Sequence, residues 1–172
     1  INYLGHKIKK YLGNGSKLGV KITYLEEKKP LGTAGSINLI KKFNRPIIVT
    51  NSDIISKVDF KEMISAHKKN RSHLTMVAKV FYEKDNYGRI VANGSIVKKV
   101  IEKLEQNLLI NAGIYLIDPK IKKIIKNSEY LDMTDLINRA LKEKLKINVF
   151  PIHEKWLDYG LNKNKIKWNF ML

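Results

Sequence analysis

Short apolar runs with the composition of β-strands alternate along this chain with segments of helical periodicity, and this alternation constrains the fold more than any other feature. Strands are predicted over residues 20–25, 46–50, 74–82, 108–117 and 146–152. Helices are predicted over residues 33–43, 59–70, 119–125 and 133–141. Strands separated by helices indicate an α/β fold with a mainly parallel sheet.

A hairpin is predicted around Asn93 and Gly94, because an Asn-Gly pair stands between two further strand-like runs, residues 89–92 and 95–100. Its antiparallel strands make the predicted sheet mixed. Residues 46–50 form a continuous apolar run, which is typical of a strand buried on both faces. The chain has 172 residues and shows no repeats or linkers, so one domain covering residues 1–172 is the simplest organisation.

The composition excludes several classes of function. There is no cysteine, which excludes disulfides, thiolate zinc sites and a cysteine nucleophile. No apolar run approaches the ~20 residues that span a bilayer, and no signal-peptide pattern opens the chain, so we predict a cytoplasmic protein with no membrane partner. The net charge of +17 comes mostly from lysines spread along the whole chain. That distribution favours a solvated surface that attracts small anions, and no nucleic-acid partner is predicted.

Polar residues stand near the ends of three predicted strands, where open α/β sheets bind their ligands. Asp53 follows the 46–50 run, Asn111 and Gly113 belong to the 108–117 run, and Asp158 follows the last strand. A carboxylate in such a place can hold a hard cation that also binds phosphate. Taken alone, Asp53 is more simply a turn or cap residue, and Asp158 a loop residue.

A glycine-containing segment joins a predicted strand to a predicted helix. It consists of Leu31, Gly32, Thr33, Ala34 and Gly35 and is called the 31–35 segment below. Glycine permits close backbone approach, and a helix start presents free N–H groups, so a nucleotide could dock there. An ordinary tight turn with Thr33 as the helix cap is the alternative.

A charged pair, Glu102 and Lys103, ends the predicted hairpin. The lysine could neutralise a phosphate, and the glutamate could accept hydrogen bonds from sugar hydroxyls. A surface ion pair is the commoner interpretation of such a pair. No histidine has the spacing of a metal site, and none is assigned to catalysis.

In their order along the chain, these pieces resemble the sugar-1-phosphate nucleotidyltransferase family, which includes mannose-1-phosphate guanylyltransferases and glucose-1-phosphate thymidylyltransferases. The matching residues are 2–5, 11–16, 19, 24–27, 30–35, 49–53, 87–88, 102–103, 111–115 and 156–160. The resemblance implies a Rossmann-like nucleotide-diphospho-sugar transferase fold. It also implies nucleotidyl transfer from a nucleoside triphosphate to a sugar 1-phosphate, giving a nucleotide sugar and pyrophosphate.

The resemblance assigns roles to individual positions. The 31–35 segment would line the nucleobase pocket. Asp53 and Asp158 would hold the catalytic Mg²⁺, and Lys103 would join them as a catalytic residue. The sugar phosphate would be contacted by Gly88, Glu102, Lys103, Asn111 and Gly113. The chain departs from the family at Ser52, Leu104 and Tyr159, where glycine, proline and isoleucine are usual, and Ser52 could crowd the nucleotide.

The family opens with a strand and a Gly-x-Gly-Thr-Arg loop, followed further on by a Pro-Lys pair, and these cradle the triphosphate. No such loop occurs in these 172 residues. We therefore expect the first strands of the family's sheet to be absent from this chain, so that Ile47, Ile48 and Val49 are exposed. We also expect the chain alone to show little transfer activity.

Two other functions stay open, and so do the partners. The alternatives are a nucleotide-sugar-dependent glycosyltransferase and a non-catalytic fragment that binds a ligand or a partner chain. A homo-oligomer and an upstream regulatory domain are both compatible with the resemblance. The base and the sugar are not determined, although the residues before Trp156 favour GTP.

Overall fold

The computed structural model describes residues 1–84, 88–102 and 105–160, without the side chains of residues 83, 84, 105 and 106. Two compact units can be distinguished. Unit 1 contains Ile1–Ile47, Arg71–Leu74 and Ile117–Ile147, and unit 2 contains Ile48–Asn70, Thr75–Leu116 and the described part of Asn148–Leu172. No helix in the described ranges is both long and apolar enough to cross a bilayer.

The secondary structure follows the predicted alternation. The strands are β1 (Ile47–Thr50), β2 (Ile54–Ser56), β3 (Leu74–Lys84), β4 (Arg89–Asn93), β5 (Ile96–Ile101), β6 (Glu105–Ile117), β7 (Ile147–Ile152) and β8 (Trp156–Asp158). The helices are α1 (Gly5–Leu12), α2 (Gly32–Gly35), α3 (Phe60–Lys69), α4 (Pro119–Lys122) and α5 (Met133–Lys142).

The central sheet has four strands in the order β1-β6-β3-β7. The start of β3 lies beside the end of β6, where Asp118 N donates to His73 O at 2.9 Å. It also lies beside the start of β7, where His73 N donates to Lys146 O at 2.8 Å. β3 is therefore antiparallel to β6 and parallel to β7, which confirms that the sheet is mixed.

The core of unit 2 contains one face of the central sheet and one face of α3. Ala112, Ile114 and Leu116 of β6 are buried together with Met63 of α3 and Val77 of β3. Alternate residues of a strand point to the same face, so the period of two in β6 directs all three of its side chains into this core.

Helix α3 begins as the sequence predicts. The carboxylate of Asp59 accepts hydrogen bonds from Lys61 N at 2.8 Å and Glu62 N at 3.0 Å. These bonds satisfy two of the amide groups that a helix start leaves without an intrahelical partner.

Two pairs of short strands complete unit 2. β2 and β8 are antiparallel, with Ile54 opposite Asp158 and Ser56 opposite Trp156. β4 and β5 form the predicted hairpin. Its turn contains Gly94, whose positive φ of 57° suits glycine.

Unit 1 contains α1, α2, α4 and α5. α5 is amphipathic and buries Met133, Leu136, Ile137 and Ala140, as its period predicts. The segment before α5 is held by Arg139, whose guanidinium donates to both carboxylate oxygens of Glu129 at 2.9 and 2.5 Å.

The strand predicted over residues 20–25 does not form. Val20 N donates to Gly15 O at 3.2 Å, and Ile22 N donates to Asn14 O at 2.8 Å. These nearby carbonyls use the backbone donors that a neighbouring strand would need. The Val20 side chain is 54% exposed, so this part of the apolar pattern packs against no sheet.

Two other predicted elements differ in detail. The helix predicted over residues 33–43 is α2 followed by a 3₁₀ turn at Ser36–Leu39, and Ile40 is already extended with ψ of 111°. Lys122 Nζ donates to the carbonyls of Ile40 and Lys41, which are therefore bonded outside any helix. β1 is an outer strand of the central sheet and is not buried on both faces. Ile48 is 40% exposed, in line with the exposure expected for this run, whereas Ile47 and Val49 are half-buried.

Candidate functional site

The pairing of β2 with β8 brings Asp53 and Asp158 together. Asp53 directly precedes β2, and Asp158 stands opposite Ile54 in the ladder. Beyond the ladder, Tyr159 N donates to Asp53 O at 2.9 Å. The two carboxylates, which are far apart in the sequence, therefore belong to one strand end.

Gly160 shows how closely the two carboxylates approach. A Cβ on Gly160 would lie 2.5 Å from Asp53 Oδ2 and 3.3 Å from Asp158 Oδ1. Both oxygens therefore border the same small volume, which a side chain at residue 160 would fill. A glycine at this position leaves that volume open.

The donor chemistry of this carboxylate pair fits Mg²⁺. Mg²⁺ prefers oxygen ligands and is usually bound by one or two carboxylates, with waters and substrate phosphates completing its shell. Within the part of the chain that the structure describes, no group of three or more acidic or histidine side chains could surround a metal ion. Asp53 and Asp158 would then be the two protein carboxylates of such a site.

Trp156 fixes the position of β8, and the sequence alone had assigned no role to it. Its indole Nε1 donates to Ala112 O at 2.9 Å, which ties β8 to β6. Its ring meets Phe81 edge to face, with 6.4 Å between the ring centroids. Both contacts help to determine where Asp158, two residues later, is presented.

A second cluster contains Asn51, Asn111 and Gly113. Gly113 O accepts from Asn51 N at 2.9 Å, and Gly113 N donates to Asn111 Oδ1 at 3.1 Å. Gly113 has φ of 70°, and a Cβ there would lie 2.9 Å from Asn51 Nδ2 and 3.2 Å from Ile54 Cγ1. This glycine therefore lets β6 approach the segment that carries Asp53.

The exposed side chain of Asn111 is oriented by Tyr115. Its Oδ1 accepts from the Tyr115 hydroxyl at 2.9 Å, and its Nδ2 is 2.8 Å from the same hydroxyl. Burial raises the pKa of Tyr115, and the hydrogen bond with Asn111 partly opposes this rise. The phenol stays protonated near neutral pH and can donate to the amide oxygen.

Gly88 and Glu102 are neighbours at the open end of the hairpin. They follow the ladder pair Arg89 and Ile101, and a Cβ on Gly88 would lie 3.2 Å from Glu102 Oε2. Both residues are exposed. Lys103, predicted beside them, lies outside the described residues, as do Tyr87 and Leu104.

The 31–35 segment lies in unit 1 and packs against residues 129–132. Leu31 and Ala34 are buried. Leu131 O accepts from Ala34 N at 2.9 Å and from Gly35 N at 3.1 Å, while Leu131 N donates to Leu31 O at 2.9 Å. The amides of Ala34 and Gly35 are therefore already bonded to protein groups.

Close packing explains both glycines of this segment. Gly32 has φ of 74°, and a Cβ there would lie 2.6 Å from Leu131 O. A Cβ on Gly35 would lie 2.5 Å from Glu129 O. Real Cβ atoms do not approach backbone oxygens so closely, so both positions require glycine irrespective of any ligand.

Thr33 caps a helix, although not the one that the sequence suggested. α2 has no side-chain cap of its own. The Thr33 hydroxyl instead accepts from Met133 N, the first residue of α5, at 2.8 Å. The sequence could not show this, because the two helix starts are distant along the chain.

A cavity of about 570 Å³ opens beside Leu31 within unit 1. Its lining also includes Glu27, Lys28, Lys29 and Leu39. Cavities of this size accept ligands as large as a nucleotide. Its position gives the 31–35 segment a surface on which a ligand could rest.

Comparison with known proteins places this chain among enzymes of one kind. A family model described as nucleotidyl transferase matches residues 1–169. The chain is 32% identical over 166 residues to mannose-1-phosphate guanyltransferase 2 of Candida glabrata, covering 91% of this chain and 45% of that protein. It is 34% identical over 166 residues to the mannose-1-phosphate guanyltransferase of Yarrowia lipolytica, covering 91% and 44%. The chain thus spans about half the length of these curated relatives.

Solved structures share the fold. HddC from Yersinia pseudotuberculosis matches with a TM-score of 0.69 and 21% identity, covering 92% of this chain and 70% of that one. HddC complexed with GMP-PN matches with a TM-score of 0.68 and 20% identity, covering 94% and 71%. At this identity the likeness shows the fold alone.

Proposed function

We propose that this chain, which belongs to the nucleotidyl transferase family, takes part in nucleotidyl transfer from a nucleoside triphosphate to a sugar 1-phosphate. An oxygen of the sugar 1-phosphate attacks the α-phosphorus in line, the bond from the α-phosphorus to the bridging oxygen breaks, and pyrophosphate leaves. No protein nucleophile is required. The protein contributes by positioning two anions and by stabilising their charge.

The convergence of Asp53 and Asp158 beside Gly160 is the observation that carries this proposal. These two carboxylates would hold Mg²⁺, which when bound supplies a template for the phosphates and stabilises their charge. Trp156 supports the pair by holding β8 against β6.

The sugar phosphate would be received by other residues of unit 2. Asn111 presents an amide oriented by Tyr115, and Glu102 presents an exposed carboxylate to sugar hydroxyls. Gly88 would leave room beside Glu102, and Gly113 would act through its close packing rather than through its own polar groups, which are already bonded. Lys103 would offset the phosphate charge.

The nucleobase would enter the cavity beside Leu31, which is the residue of the 31–35 segment that lines it. The similarity to mannose-1-phosphate guanyltransferases supports GTP as the nucleotide and mannose 1-phosphate as the sugar phosphate. We infer GTP and mannose 1-phosphate as the first substrates to test. A cytoplasmic location stays a prediction from the sequence.

A pyrophosphate-release assay on the full-length protein tests the proposal. GTP, UTP, dTTP and CTP are each offered with several sugar 1-phosphates, and turnover is expected with one pair in the presence of Mg²⁺. Asp53→Asn and Asp158→Asn should each lower turnover by roughly 10²-fold, because each removes one negative ligand of the ion. Glu154→Gln, which makes the same charge change on an exposed side chain, should leave turnover unchanged.

Other outcomes identify the alternatives. Turnover of both asparagine variants within about threefold of wild type would show that these carboxylates hold no catalytic ion. Transfer of a sugar from a nucleotide sugar to an acceptor would identify a glycosyltransferase. Nucleotide binding with no turnover at all would identify a binding protein.

The 172 residues by themselves are expected to be a poor catalyst. A loop of backbone donors and basic side chains on the β- and γ-phosphates would stabilise the leaving pyrophosphate, and each such donor is worth about 10²- to 10³-fold. We compare this polypeptide with one extended at its N-terminus by the Gly-x-Gly-Thr-Arg segment of a relative. Turnover by the shorter polypeptide within about tenfold of the longer one would contradict the expectation.

A further inference from the structure

Hydrogen bonds join Thr33, at the start of α2, to Asp132 and Met133, at the start of α5 in unit 1. Thr33 N donates to Asp132 Oδ1 at 3.1 Å, and the Thr33 hydroxyl donates to the same oxygen at 3.3 Å. In return, Met133 N donates to the Thr33 hydroxyl at 2.8 Å. The start of α2 is thus bonded to the Asp132 side chain, and the start of α5 is bonded to the Thr33 side chain.

The direction of the Asp132 carboxylate is unusual. Asp132 stands at the N-cap of α5, with φ of −87° and ψ of 156°, yet its side chain makes no hydrogen bond to that helix. An aspartate at this position normally accepts from its own helix start. Here Oδ1 serves Thr33, while Oδ2 accepts from the Tyr130 hydroxyl at 3.2 Å. The carboxylate is therefore directed at the 31–35 segment.

The residues around Asp132 reinforce this orientation. Leu131 forms three backbone hydrogen bonds with the 31–35 segment, and Gly32 and Gly35 leave no space between the two stretches of chain. Glu129 itself accepts hydrogen bonds from both terminal guanidinium nitrogens of Arg139. The conformation of the 31–35 segment is consequently set by residues 129–132, a stretch that no sequence motif had indicated.

We propose that Asp132 is a positioning residue for nucleotide binding, acting through Thr33 on the 31–35 segment, whose Leu31 lines the cavity. This inference rests on the proposed function. Asp132 need not touch the nucleotide. Without its carboxylate, Thr33 N and the Thr33 hydroxyl lose their acceptor, and the segment must be ordered again whenever a nucleotide binds.

Substitutions of Asp132 and of Thr33 distinguish an effect on nucleotide binding from an effect on stability alone. Asp132→Ala and Thr33→Val are each expected to raise the KM for GTP by about tenfold, the effect of losing one hydrogen bond to a charged group. The KM for mannose 1-phosphate should stay constant. Asp132→Asn keeps an acceptor oxygen, so its KM for GTP should lie much closer to wild type than that of Asp132→Ala. Thr33→Ser keeps the hydroxyl, so its KM for GTP should likewise lie much closer to wild type than that of Thr33→Val.

Asp135→Ala is the matched control, because it removes an exposed carboxylate from the first turn of the same helix. It should leave both KM values unchanged. The measurements use the full-length protein. Binding of GTP, UTP, dTTP and CTP to the wild type is measured first. If the wild type binds a nucleotide other than GTP, that nucleotide is used in the assay. Melting temperatures are recorded for every variant, and kinetics are run where all of them are folded.

The outcomes are distinguishable. A melting temperature that falls in Asp132→Ala while the nucleotide KM stays within about twofold would overturn the inference and leave the residue a purely structural role. Equal rises in the KM values of both substrates would overturn it too. Should Asp132→Ala not fold, Thr33→Val against Thr33→Ser decides the matter alone. A wild-type protein that binds none of the four nucleotides would instead refute the proposed function.

Discussion

At the scale of single residues, Gly32 has two features that exclude a side chain. Its φ is 74°, and a Cβ would lie 2.6 Å from Leu131 O. Gly94, in the hairpin turn, has φ of 57° but nothing within 4 Å of the position of its Cβ. A comparison of Gly32 with Gly94 therefore distinguishes the cost of the left-handed backbone from the cost of a steric clash.

Gly32→Ala should be much more destabilising than Gly94→Ala. Alanine at Gly94 should cost about 1 kcal/mol, because only the left-handed backbone is unfavourable. Alanine at Gly32 should cost about 3 kcal/mol or more, because the Leu131 carbonyl must also move. Urea denaturation of both variants measures the difference. Equal losses would show that residues 129–132 give way easily and do not fix the 31–35 segment.

Glu129 makes part of the stability depend on pH. The hydrogen bonds from Arg139, then the one from Lys126 N, lower its pKa from 4.5 to about 2. Because the folded-state pKa is the lower one, this contribution is complete above the unfolded value of 4.5 and is lost as the pH falls towards about 2.

Glu129→Gln should flatten this part of the acid response. The free energy of unfolding of the variant should fall less than that of wild type as the pH is lowered through the window below 4.5. Chemical denaturation at several pH values measures this slope. Glu154→Gln, on an exposed carboxylate, should keep the wild-type slope. A Glu129→Gln profile parallel to wild type would show that the pair with Arg139 forms equally well in the unfolded chain.

At the residue scale, the sequence predicted positions at strand ends better than it predicted roles. Asp53 follows the apolar run of β1, whereas its pairing with Asp158, the last residue of β8, was expected only from the family resemblance, and a shared metal ion stays a prediction. Asp132 could not be found in this way. Its sequence context resembles an ordinary helix cap, and only the fold reveals that the carboxylate bonds to Thr33 across 99 residues.

At the scale of elements, length decided what could be predicted. β3, β6, α3 and α5 are long enough to show a clear period and were predicted close to their observed bounds. β2 and β8 have three residues each, too few to show a period, yet their pairing brings the carboxylates together. Residues 20–25 have the composition of a strand but find their hydrogen bonds at Asn14 and Gly15. The local hydrogen-bond partners of these residues, and not their composition, prevent them from forming a strand.

Trp156 should be the residue that holds β8 in place. Trp156→Phe removes the donor to Ala112 O and leaves that carbonyl, on a fully buried residue, without this bond. The free energy of unfolding should fall by about 1–3 kcal/mol, and the Mg²⁺ concentration needed for half-maximal turnover should rise because Asp158 is less well fixed. Phe81→Leu, which removes the ring contact but keeps the donor, is the control. A change in stability without a change in the Mg²⁺ requirement would show that β2 alone determines the position of Asp158.

At the scale of the whole molecule, charge is the dominant feature. The chain has 33 lysines and arginines against 16 aspartates and glutamates, which gives a net charge of +17. Such an excess favours encounter with anionic phosphates, and it also destabilises the compact state through self-repulsion. Salt should therefore act on stability and on substrate capture in opposite directions.

Raising NaCl from about 20 mM to about 500 mM should increase the free energy of unfolding by about 1 kcal/mol. The Debye length shortens from roughly 20 Å to about 4 Å, so the repulsion between lysines is screened. The same change should slow nucleotide association, since attraction of the anion is screened as well. Stopped-flow binding and urea denaturation in the same buffers measure the two effects. Lys98→Glu with Lys99→Glu, in the exposed hairpin, is the internal control, because it lowers the net charge and should reduce the gain in stability. A free energy of unfolding that does not change with salt in either protein would mean that the lysines are too widely spaced to repel one another. Any effect of salt on nucleotide association would then arise from charges at the nucleotide site itself.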